Sequence, residues 1–198
     1  MIRVIVSQEI EQVCPGFVGA YVAAEVVNTP YSAALWREIE TMGKRFRREL
    51  TTETLKDITS IAATRRVYKA CGKDPSRYRP ASEALIRRML QGKELYQRDT
   101  LVDLINLASI AYGYSIGGFD ADKFVGDTLP VYRDAAGGVG TPTSDNERTK
   151  MTLDTRHLVV LINGYDGNEA RVRANAEYIQ KLLRDFCQSD GGHYNIYK

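Results

Sequence analysis

The spacing of apolar residues changes near Pro30, from a strand-like pattern to a helical one. Val-rich segments over residues 3–6 and 17–27 alternate enough to predict two strands, and Pro15 and Gly16 predict a turn between them. Beyond Pro30, apolar residues recur at the spacing of one face of an amphipathic helix. These residues are Leu35, Ile39, Met42, Phe46 and Leu50. The chain is therefore expected to begin with strands and to continue into helices.

Two shorter helical segments follow. A helix is predicted over residues 52–70, with Gly72 just past its end, where a left-handed backbone conformation favours glycine. The next helix, ASEALIRRML, begins after Pro80 and ends at Gly92. The segment between them, KDPSRYRP, is expected to be a short loop.

The segment TLVDLINLASIAYG is apolar nearly all round and is expected to form a central, buried helix, for which Asp99 is a suitable N-cap. Asp103 and Asn106 follow Asp99 at helical spacing, so the three side chains share one stripe. A buried polar group without a partner costs about 1–3 kcal/mol. These side chains are therefore expected either to bond the neighbouring backbone or to line a cavity.

The second half of the chain predicts strands and a last helix. Strands are predicted near residues 129–132 and over the apolar HLVVLING segment, a helix over about residues 168–188, and a poorly ordered tail in SDGGHYNIYK. Helices that precede strands favour an α+β fold with a mixed or antiparallel sheet packed with helices. We expect a single domain over residues 1–198, made of an N-terminal strand region, a mainly helical part, and strands with a C-terminal helix. The bounds of these parts are 1–30, 31–114 and 115–198.

Composition is that of an ordinary globular protein, with 43% hydrophobic residues. The segment MIRVIVSQEIEQV lacks the apolar run of a signal peptide, and no stretch approaches the roughly 20 apolar residues that a membrane helix needs. Cys14, Cys71 and Cys187 are widely spaced and odd in number, which favours reduced thiols. These features predict a cytoplasmic protein that does not enter a membrane.

Charge is distributed unevenly along a chain whose net charge is only +2. Residues 37–98 contain 16 Lys/Arg and 8 Asp/Glu, a net charge of +8, which leaves −6 for the remaining residues. A basic section of this kind can attract a polyanion such as RNA. The alternative is a set of solvated helix faces that bind nothing.

The richest polar segment is the loop TPTSDNERT at residues 141–149, which leads towards a strand. Binding groups concentrate in loops that a rigid sheet positions. Glu147 and Arg148 could grip the ammonium and carboxylate groups of an amino acid, because a carboxylate pairs with the first and a guanidinium with the second. The further hydrogen-bonding groups of the loop are Ser144, Asp145 and Thr149. The alternative is a solvated polar hairpin tip.

The sequence has no HExxH pattern of a metal-dependent hydrolase and no GxxxxGK[ST] pattern of a phosphate-binding loop. Asp120 and Asp122 form a DxD pair that could hold Mg²⁺, although such residues more often cap loops. His157 and His193 are the only histidines, and nothing in the sequence pairs them as metal ligands. Neither a metal nor an organic cofactor is expected.

Two nearby runs give the sequence a family resemblance. They are RYRPASEALIRRML and DTLVDLINLASIAYGYSIGGFDADKFVGD, and together they resemble the B3/B4 domain of the phenylalanyl-tRNA synthetase beta subunit. An asparagine–valine–valine–aspartate helix of that domain matches residues 100–106, and the polar run that follows it matches residues 116–123. The later segment SDNERTKMTLDT resembles the free-standing bacterial branch of the family. The resemblance covers about residues 50–164.

In the synthetase family this domain binds mischarged tRNA and hydrolyses tyrosine wrongly attached to the phenylalanine tRNA. The resemblance therefore implies hydrolysis of mischarged aminoacyl-tRNA in trans, with a pocket between the sheet and the buried helix. It makes Glu147 the nearest match to the family's editing glutamate, which would bind the amino group or orient the attacking water. The implied substrate-binding residues are Asn106, Gly117, Gly118, Ser144, Asp145, Arg148 and Thr149. The implied contacts to the tRNA backbone are Arg77, Arg79, Arg87 and Arg88.

The sequence departs from the family pattern at two places. Gly117 stands where the family has its pocket histidine, and the region around residues 127–129 is shorter than in family members that carry a further strand pair there. The first departure favours an alternative function. That alternative is a non-catalytic module which keeps the pocket and binds tRNA, other RNA or an amino acid.

Overall fold

The apolar HLVVLING segment forms the centre of an antiparallel sheet in the computed structural model, which describes residues 2–198. Within these residues the strands are β1 (Arg3–Ile5), β2 (Val18–Glu25), β3 (Ser115–Asp120), β4 (Thr128–Pro130), β5 (Arg133–Asp134), β6 (Gly137–Gly138), β7 (His157–Gly164) and β8 (His193–Tyr197). The main sheet has the order β3-β7-β2-β8, and all its neighbours are antiparallel. Outside it, β1 pairs with β4 in parallel, and β5 with β6 antiparallel.

Three of the six α-helices of residues 2–198 begin with a side-chain cap. The six are α1 (Gln8–Val13), α2 (Ala33–Glu49), α3 (Thr59–Ala70), α4 (Ala81–Leu90), α5 (Thr100–Tyr112) and α6 (Glu169–Phe186). Ser32, Asp99 and Asn168 each accept a hydrogen bond from the backbone N–H three residues ahead, which caps α2, α5 and α6. Gly113 follows α5 with a φ of 73°, a left-handed conformation that costs glycine little.

Both faces of the main sheet are buried, which explains why β7 is apolar without interruption from Leu158 to Ile162. Successive strand residues point to opposite faces. Leu158, Val160 and Ile162 belong to the larger core that α5 and α6 complete, whereas Val159 and Leu161 belong to a smaller core on the second face. The residues that cover this second face come from β1, β4 and the segments near them; they are Val4, Val6, Leu129, Val131 and Val139.

Helix α5 is the buried central helix that its sequence predicts. Leu104 and Leu107 are fully buried. The carboxylate of Asp103 accepts hydrogen bonds from Trp36 Nε1 at 2.7 Å and from the backbone N–H of Arg98 at 3.2 Å. Burial raises the pKa of Asp103, although these two hydrogen bonds act against the rise. Asp103 therefore satisfies its polar atoms within the fold rather than in a cavity.

The helix predicted over residues 52–70 begins later, at Thr59. Thr51 and Thr54 bond each other through hydroxyl and backbone groups, with the Thr51 N–H donating to Thr54 Oγ1 at 3.1 Å and the Thr54 N–H to Thr51 Oγ1 at 3.3 Å. Such local bonds offer the backbone an alternative to the helix. A short 3₁₀ turn at Leu55–Asp57 follows them. The early start was wrong because threonine side chains compete with helical hydrogen bonding.

The expectation of a poorly ordered tail was also wrong. Residues 193–197 form β8, which pairs with β2 and completes one edge of the main sheet. Gly191 and Gly192 lead into this strand with φ values of 92° and 60°. A Cβ on Gly192 would lie 2.0 Å from the backbone oxygen of Ala23, so the approach to β2 requires glycine there.

The architecture is α+β, with α5 and α6 on one face of an antiparallel sheet and α1 with a smaller set of strands and loops on the other. Over residues 2–198, every helix is either too short or too polar to cross a membrane.

Candidate binding pocket

A cavity of about 620 Å³ opens on the second face of the main sheet, beside the C-terminal end of β7. Its walls come from α1, α3, the loop between α3 and α4, the start of β3, and residues 141–144. Ile10, Val13 and Val67 form its apolar wall. The volume lies within the range of about 300–1,000 Å³ that is usual for small-molecule sites. We call this cavity the Asn163 pocket, after the residue that distinguishes it.

Asn163, near the end of β7, brings a buried amide to the pocket, with only 2% of its surface exposed. Its Nδ2 donates to the backbone carbonyl of Ser115 at 2.9 Å and to the hydroxyl of Tyr132. Because a carbonyl only accepts, the contact with Ser115 fixes which side of the amide is nitrogen. Oδ1 has no hydrogen-bond partner within residues 2–198. A ligand that donates to Oδ1 would relieve the cost of about 1–3 kcal/mol that an unpaired buried acceptor carries.

Tyr132 places a hydroxyl beside that amide from an uncommon backbone conformation. Its φ is 66°, in the left-handed region that residues other than glycine rarely occupy. Burial raises the pKa of Tyr132 well above its ordinary value, and the nearby phenols of Tyr197 and Tyr165 act in the same direction. The hydroxyl is therefore protonated at neutral pH. Because Asn163 donates to the oxygen of Tyr132, the O–H of Tyr132 is left to donate to a ligand.

Two further phenols line the pocket. Burial raises the pKa of Tyr68 and of Tyr165, so both hydroxyls are protonated at neutral pH. The ring of Tyr165 also packs on Phe17, with 5.2 Å between centroids. Among the described lining residues, Glu9 is the one carboxylate, and it is exposed. The interior of the pocket thus offers neutral hydrogen-bonding groups rather than charges.

The rim of the pocket is basic. Lys73, Arg77 and Arg79 lie exposed on the loop between α3 and α4 and line the cavity. Both Lys73 and Arg77 approach the ring of exposed Tyr78, with 6.0 Å and 5.6 Å to its centroid. Asp74 shapes the loop by accepting from the backbone N–H of Ser76 at 2.8 Å. A ligand with an anionic part is complementary to this rim.

The polar loop at residues 141–149 contributes to the pocket only in part. Ser144 lines the cavity, in a tight turn where its N–H and C=O bond those of Thr141. The side chain of Glu147 is 88% exposed, and Lys150 Nζ lies 2.6 Å from its carboxylate. Glu147 and the exposed Asp145 stand outside the described lining of the pocket. The roles predicted for these two residues stay predictions.

Arg148 and Thr149 anchor this loop to the fold. Arg148 donates to both carboxylate oxygens of Asp134, at 2.8 and 2.9 Å, and to the carbonyl of Lys123 at 2.7 Å. Burial acts to raise the pKa of Asp134, but hydrogen bonds from Arg148 and from two backbone N–H groups outweigh it, so the pKa lies below its ordinary value. Fully buried Thr149 donates to the carbonyl of Val139 at 2.5 Å. In this geometry the side chains of Arg148 and Thr149 stabilise the position of the loop.

The central part of the chain decides the family. Residues 63–161, half of the chain, match the family model of the B3/4 domain. The protein belongs to the B3/4 domain family. This domain is found in the phenylalanyl-tRNA synthetase beta subunit. No curated protein matches the chain.

Within this B3/4 domain the match runs from α3 to β7. It includes the basic rim, Tyr132 and the loop at residues 141–149, whereas Asn163 lies two residues beyond its end. The family assignment therefore covers most of the pocket but not the amide that distinguishes it.

The Asn163 pocket lies away from the expected position between the sheet and the buried helix. Gly118 faces α5, and a Cβ there would lie 2.3 Å from Ile105 Cδ1, so packing fills this space. Gly117 faces the other side, where a Cβ would lie 2.9 Å from the ring of Phe119. Asn106 is half-buried on α5. None of these three predicted residues lines the Asn163 pocket, and their roles stay predictions.

A larger cavity, of about 770 Å³, lies at the opposite end of the second sheet face and is lined by both histidines of the B3/4 domain protein. His157 Nδ1 lies 2.8 Å from the carboxylate of Asp122, which raises the pKa of His157, and His193 packs edge-on against Tyr21 at 5.9 Å. No group of three metal-ligating side chains suited to an ion occurs in residues 2–198. Asp120 caps a 3₁₀ turn by accepting from the N–H of Asp122, as the loop-capping alternative predicts.

Sequence reasoning missed the residues that define the pocket interior. Asn163 stands in an apolar strand, at a position that alternation assigns to a buried face. That placement was an available signal, because buried amides need partners. Tyr132 gave no comparable signal, since its place beside Asn163 depends on the path of the chain after β4.

Proposed function

We propose that this B3/4 domain protein binds the aminoacyl end of a charged tRNA, with the amino acid in the Asn163 pocket. The observation that carries the proposal is a pair of adjacent residues in the pocket wall: Asn163, whose buried Oδ1 has no partner within residues 2–198, and Tyr132, whose hydroxyl accepts from Asn163. An aminoacyl ester offers the complementary pair, because its ammonium group donates and its carbonyl accepts. A ligand of this kind would satisfy both groups at once.

The surroundings of that pair fit the remainder of such a ligand. The apolar wall of Ile10 and Val13 and the phenols of Tyr68 and Tyr165 can surround an amino-acid side chain. The basic rim can contact the phosphates of the tRNA end, which supply affinity without reading sequence. The basic section of residues 37–98 includes this rim.

Hydrolysis of mischarged aminoacyl-tRNA in trans is the reaction that this placement would serve. Water attacks the ester carbonyl carbon, the bond to the ribose oxygen breaks, and a proton from the water converts that oxygen to a hydroxyl, which releases the amino acid. The ester is already activated, so a positioned water and a donor to the developing oxyanion can be enough. Tyr132 would supply that donor. Glu147 would have to leave Lys150 before it could orient the water.

A non-catalytic binding module is the second candidate function. The exposure of Glu147 favours it, as does the lack of a carboxylate in the pocket interior. Under this alternative the pocket and the rim would have the same ligand, and the ester would remain intact.

The decisive measurement compares the affinity of the protein for charged and uncharged forms of the same tRNAs. Wild-type protein is expected to prefer a charged form, and Tyr132→Phe to reduce that preference by about tenfold, the effect of losing about 1.4 kcal/mol of hydrogen bonding. Binding of uncharged tRNA should be unchanged. Fluorescence anisotropy with a panel of charged tRNAs provides both affinities.

Tyr178→Phe is the matched control, because Tyr178 is half-buried on α6 and lies outside the pocket. Asn163→Leu provides a second test, with thermal unfolding to check its fold. Equal affinity of the wild-type protein for charged and uncharged tRNA across the panel would overturn the proposal.

The same samples separate hydrolysis from binding. Loss of the ester faster than in buffer would support the deacylase, and Glu147→Ala with Asp145→Ala as its neighbour control would test the predicted glutamate. A selective effect of Glu147→Ala would place that residue in the reaction. Tight binding of charged tRNA without ester loss would favour the non-catalytic module.

A further inference from the structure

A second, smaller cavity, of about 270 Å³, lies along α4 and the segment that follows it. Its lining residues are Arg79, Ala84, Arg87, Arg88, Gln91 and Lys93. Four of these six residues are cationic and none is acidic. Arg79 also lines the Asn163 pocket, so the two cavities are neighbours on one surface. We call this second cavity the α4 cation site.

We propose that the α4 cation site binds one phosphate group of an RNA backbone while the Asn163 pocket holds the end of the same strand. The choice of RNA rests on the proposed function. The phosphate itself follows from the charge and shape of the cavity alone.

Two carboxylates act on Arg87, the buried Glu83 in an ion pair and the exposed Glu53 at longer range. Glu83, which is fully buried beneath the cavity, accepts from Arg65 at 2.8 Å and from Arg87 at 3.2 Å. Two guanidinium groups thus share the carboxylate of Glu83, while Arg79, Arg88 and Lys93 form no ion pair within 4.0 Å among residues 2–198. The Nε–H of Arg87 is buried and has no hydrogen-bond acceptor within residues 2–198, so contact with a phosphate would fall to the terminal amino groups of Arg87.

Arg88 is held in a fixed orientation at the same cavity. Its guanidinium carbon lies 3.9 Å from the ring centroid of Tyr96, and its Nε donates to the carbonyl of Glu94 at 2.5 Å. The terminal amino groups of a guanidinium fixed in this way can donate to two oxygens of one phosphate. Arg88 therefore provides a preorganised phosphate contact rather than a mobile surface charge.

The size and the aromatic surroundings favour a phosphate on an RNA strand. The cavity is smaller than the roughly 300 Å³ at which small-molecule pockets usually begin, so it suits a single charged group. Tyr96 is 67% exposed beside it and Tyr78 is 51% exposed on the loop that carries Arg79. Exposed aromatic rings next to a basic groove are stacking surfaces for single-stranded bases.

The test uses a short single-stranded RNA without an amino acid, so that the aminoacyl group makes no contribution. Its affinity is measured by fluorescence anisotropy over a series of KCl concentrations. Arg88→Ala and Lys93→Ala are each expected to weaken binding by about tenfold, as the loss of one charge-assisted contact does. Each should also reduce the slope of log affinity against log salt by about 0.7, the value for one lost phosphate contact on a single strand. Inorganic phosphate should compete with the RNA.

Arg48→Ala is the control for a general loss of positive charge. Arg48 is exposed on α2 and lines a separate surface near Tyr178. Its removal should leave affinity and slope close to those of the wild-type protein. Arg87→Lys keeps the charge next to Glu83 and tests the guanidinium itself, with thermal unfolding as the check on stability.

Unchanged affinity and slope in both Arg88→Ala and Lys93→Ala would overturn the phosphate site. Binding to anionic lipid vesicles in the absence of RNA binding would overturn the choice of RNA. Failure of the proposed function looks different: preference for charged tRNA would be missing while uncharged RNA still bound through the α4 cation site.

Discussion

Asn163 and Asp134 are buried polar side chains that differ in how many of their polar atoms have partners within the fold. Asp134 accepts from Arg148 at two oxygens and from the N–H groups of Val125 and Ala136 at 2.8 and 2.9 Å, so its carboxylate is fully used within the fold. The amide of Asn163 is equally buried but leaves its oxygen without a partner in residues 2–198. A native fold retains such a group at a cost, which a ligand can offset.

Asp134→Asn should destabilise the protein by about 3 kcal/mol or less at neutral pH, because it removes one charge of an ion pair whose carboxylate is buried. The lowered pKa of Asp134 adds a pH dependence. The stabilisation from the ionised carboxylate is fully present above its unfolded pKa of about 4 and is lost as the pH falls towards the folded pKa. The measurement is urea unfolding of both proteins from neutral pH to below pH 4.

Arg173→Ala is the control for an exposed ion pair, since Arg173 pairs with Glu169 on the surface of α6. Its loss should change the free energy of unfolding by no more than about 0.5 kcal/mol. A constant difference between wild type and Asp134→Asn over the whole pH range would contradict the assignment.

Individual residues of the pocket were predictable to different degrees. Arg77, Arg79 and Ser144 line the pocket, and their polar side chains in loop segments made them predictable from the sequence. Tyr132 acquires its role only from a left-handed backbone position that brings its hydroxyl to Asn163. No local sequence pattern predicts the contact between Tyr132 and Asn163, because the two residues lie on segments separated by a long loop.

At the level of elements, local periodicity predicted α5 and β7 well, because each must bury its side chains all round and so carries a nearly unbroken apolar sequence. It failed for β8, whose residues alternate weakly and include His193 and Asn195. That strand forms because β2 offers it an edge, which is a non-local condition. The predicted start of α3 was wrong for a local reason, because threonine hydroxyls compete with helical hydrogen bonds before Thr59.

The pairing of β8 with β2 depends on the absence of a side chain at Gly19. A Cβ there would lie 2.2 Å from the buried ring of Tyr197, which also packs against Phe17 at 5.9 Å between centroids. Gly19→Ala is therefore expected to destabilise the protein by about 1–3 kcal/mol, the usual cost of overpacking. Urea unfolding of Gly19→Ala, Tyr197→Leu and the double variant gives the coupling between the two positions. The double variant should recover part of the loss caused by Gly19→Ala.

Tyr197→Phe is the control for this experiment. The hydroxyl of Tyr197 is buried and has no hydrogen-bond partner within residues 2–198. Its removal should leave the stability unchanged or slightly raised, since it abolishes an unsatisfied polar group. If Gly19→Ala were equally destabilising with and without the ring of Tyr197, the clash would not be the cause.

For the whole molecule, basic residues of the positively charged section of the sequence lie together around two neighbouring cavities. The basic rim and the α4 cation site both lie within residues 73–93, inside the section whose net charge is +8. The sequence predicted that a polyanion could bind there. It could not predict that the cations would be divided between two cavities with Arg79 in common, because this division depends on how the α3–α4 loop lies against α4.

That division predicts how pairs of substitutions combine. Tyr132 lines only the Asn163 pocket, Lys93 lies outside it in the α4 cation site, and Arg79 contributes to both. Substitutions that share no partner usually add to within about 0.5 kcal/mol, or about a factor of two in affinity. For charged tRNA, the losses from Tyr132→Phe and Lys93→Ala should therefore multiply, whereas Arg79→Ala should deviate from this rule when combined with either one. The dissociation constants of the single and double variants decide the matter. Strong coupling between Tyr132→Phe and Lys93→Ala would mean that the ligand treats the two cavities as one continuous site, since separate sites bound through a common strand leave each loss independent of the other.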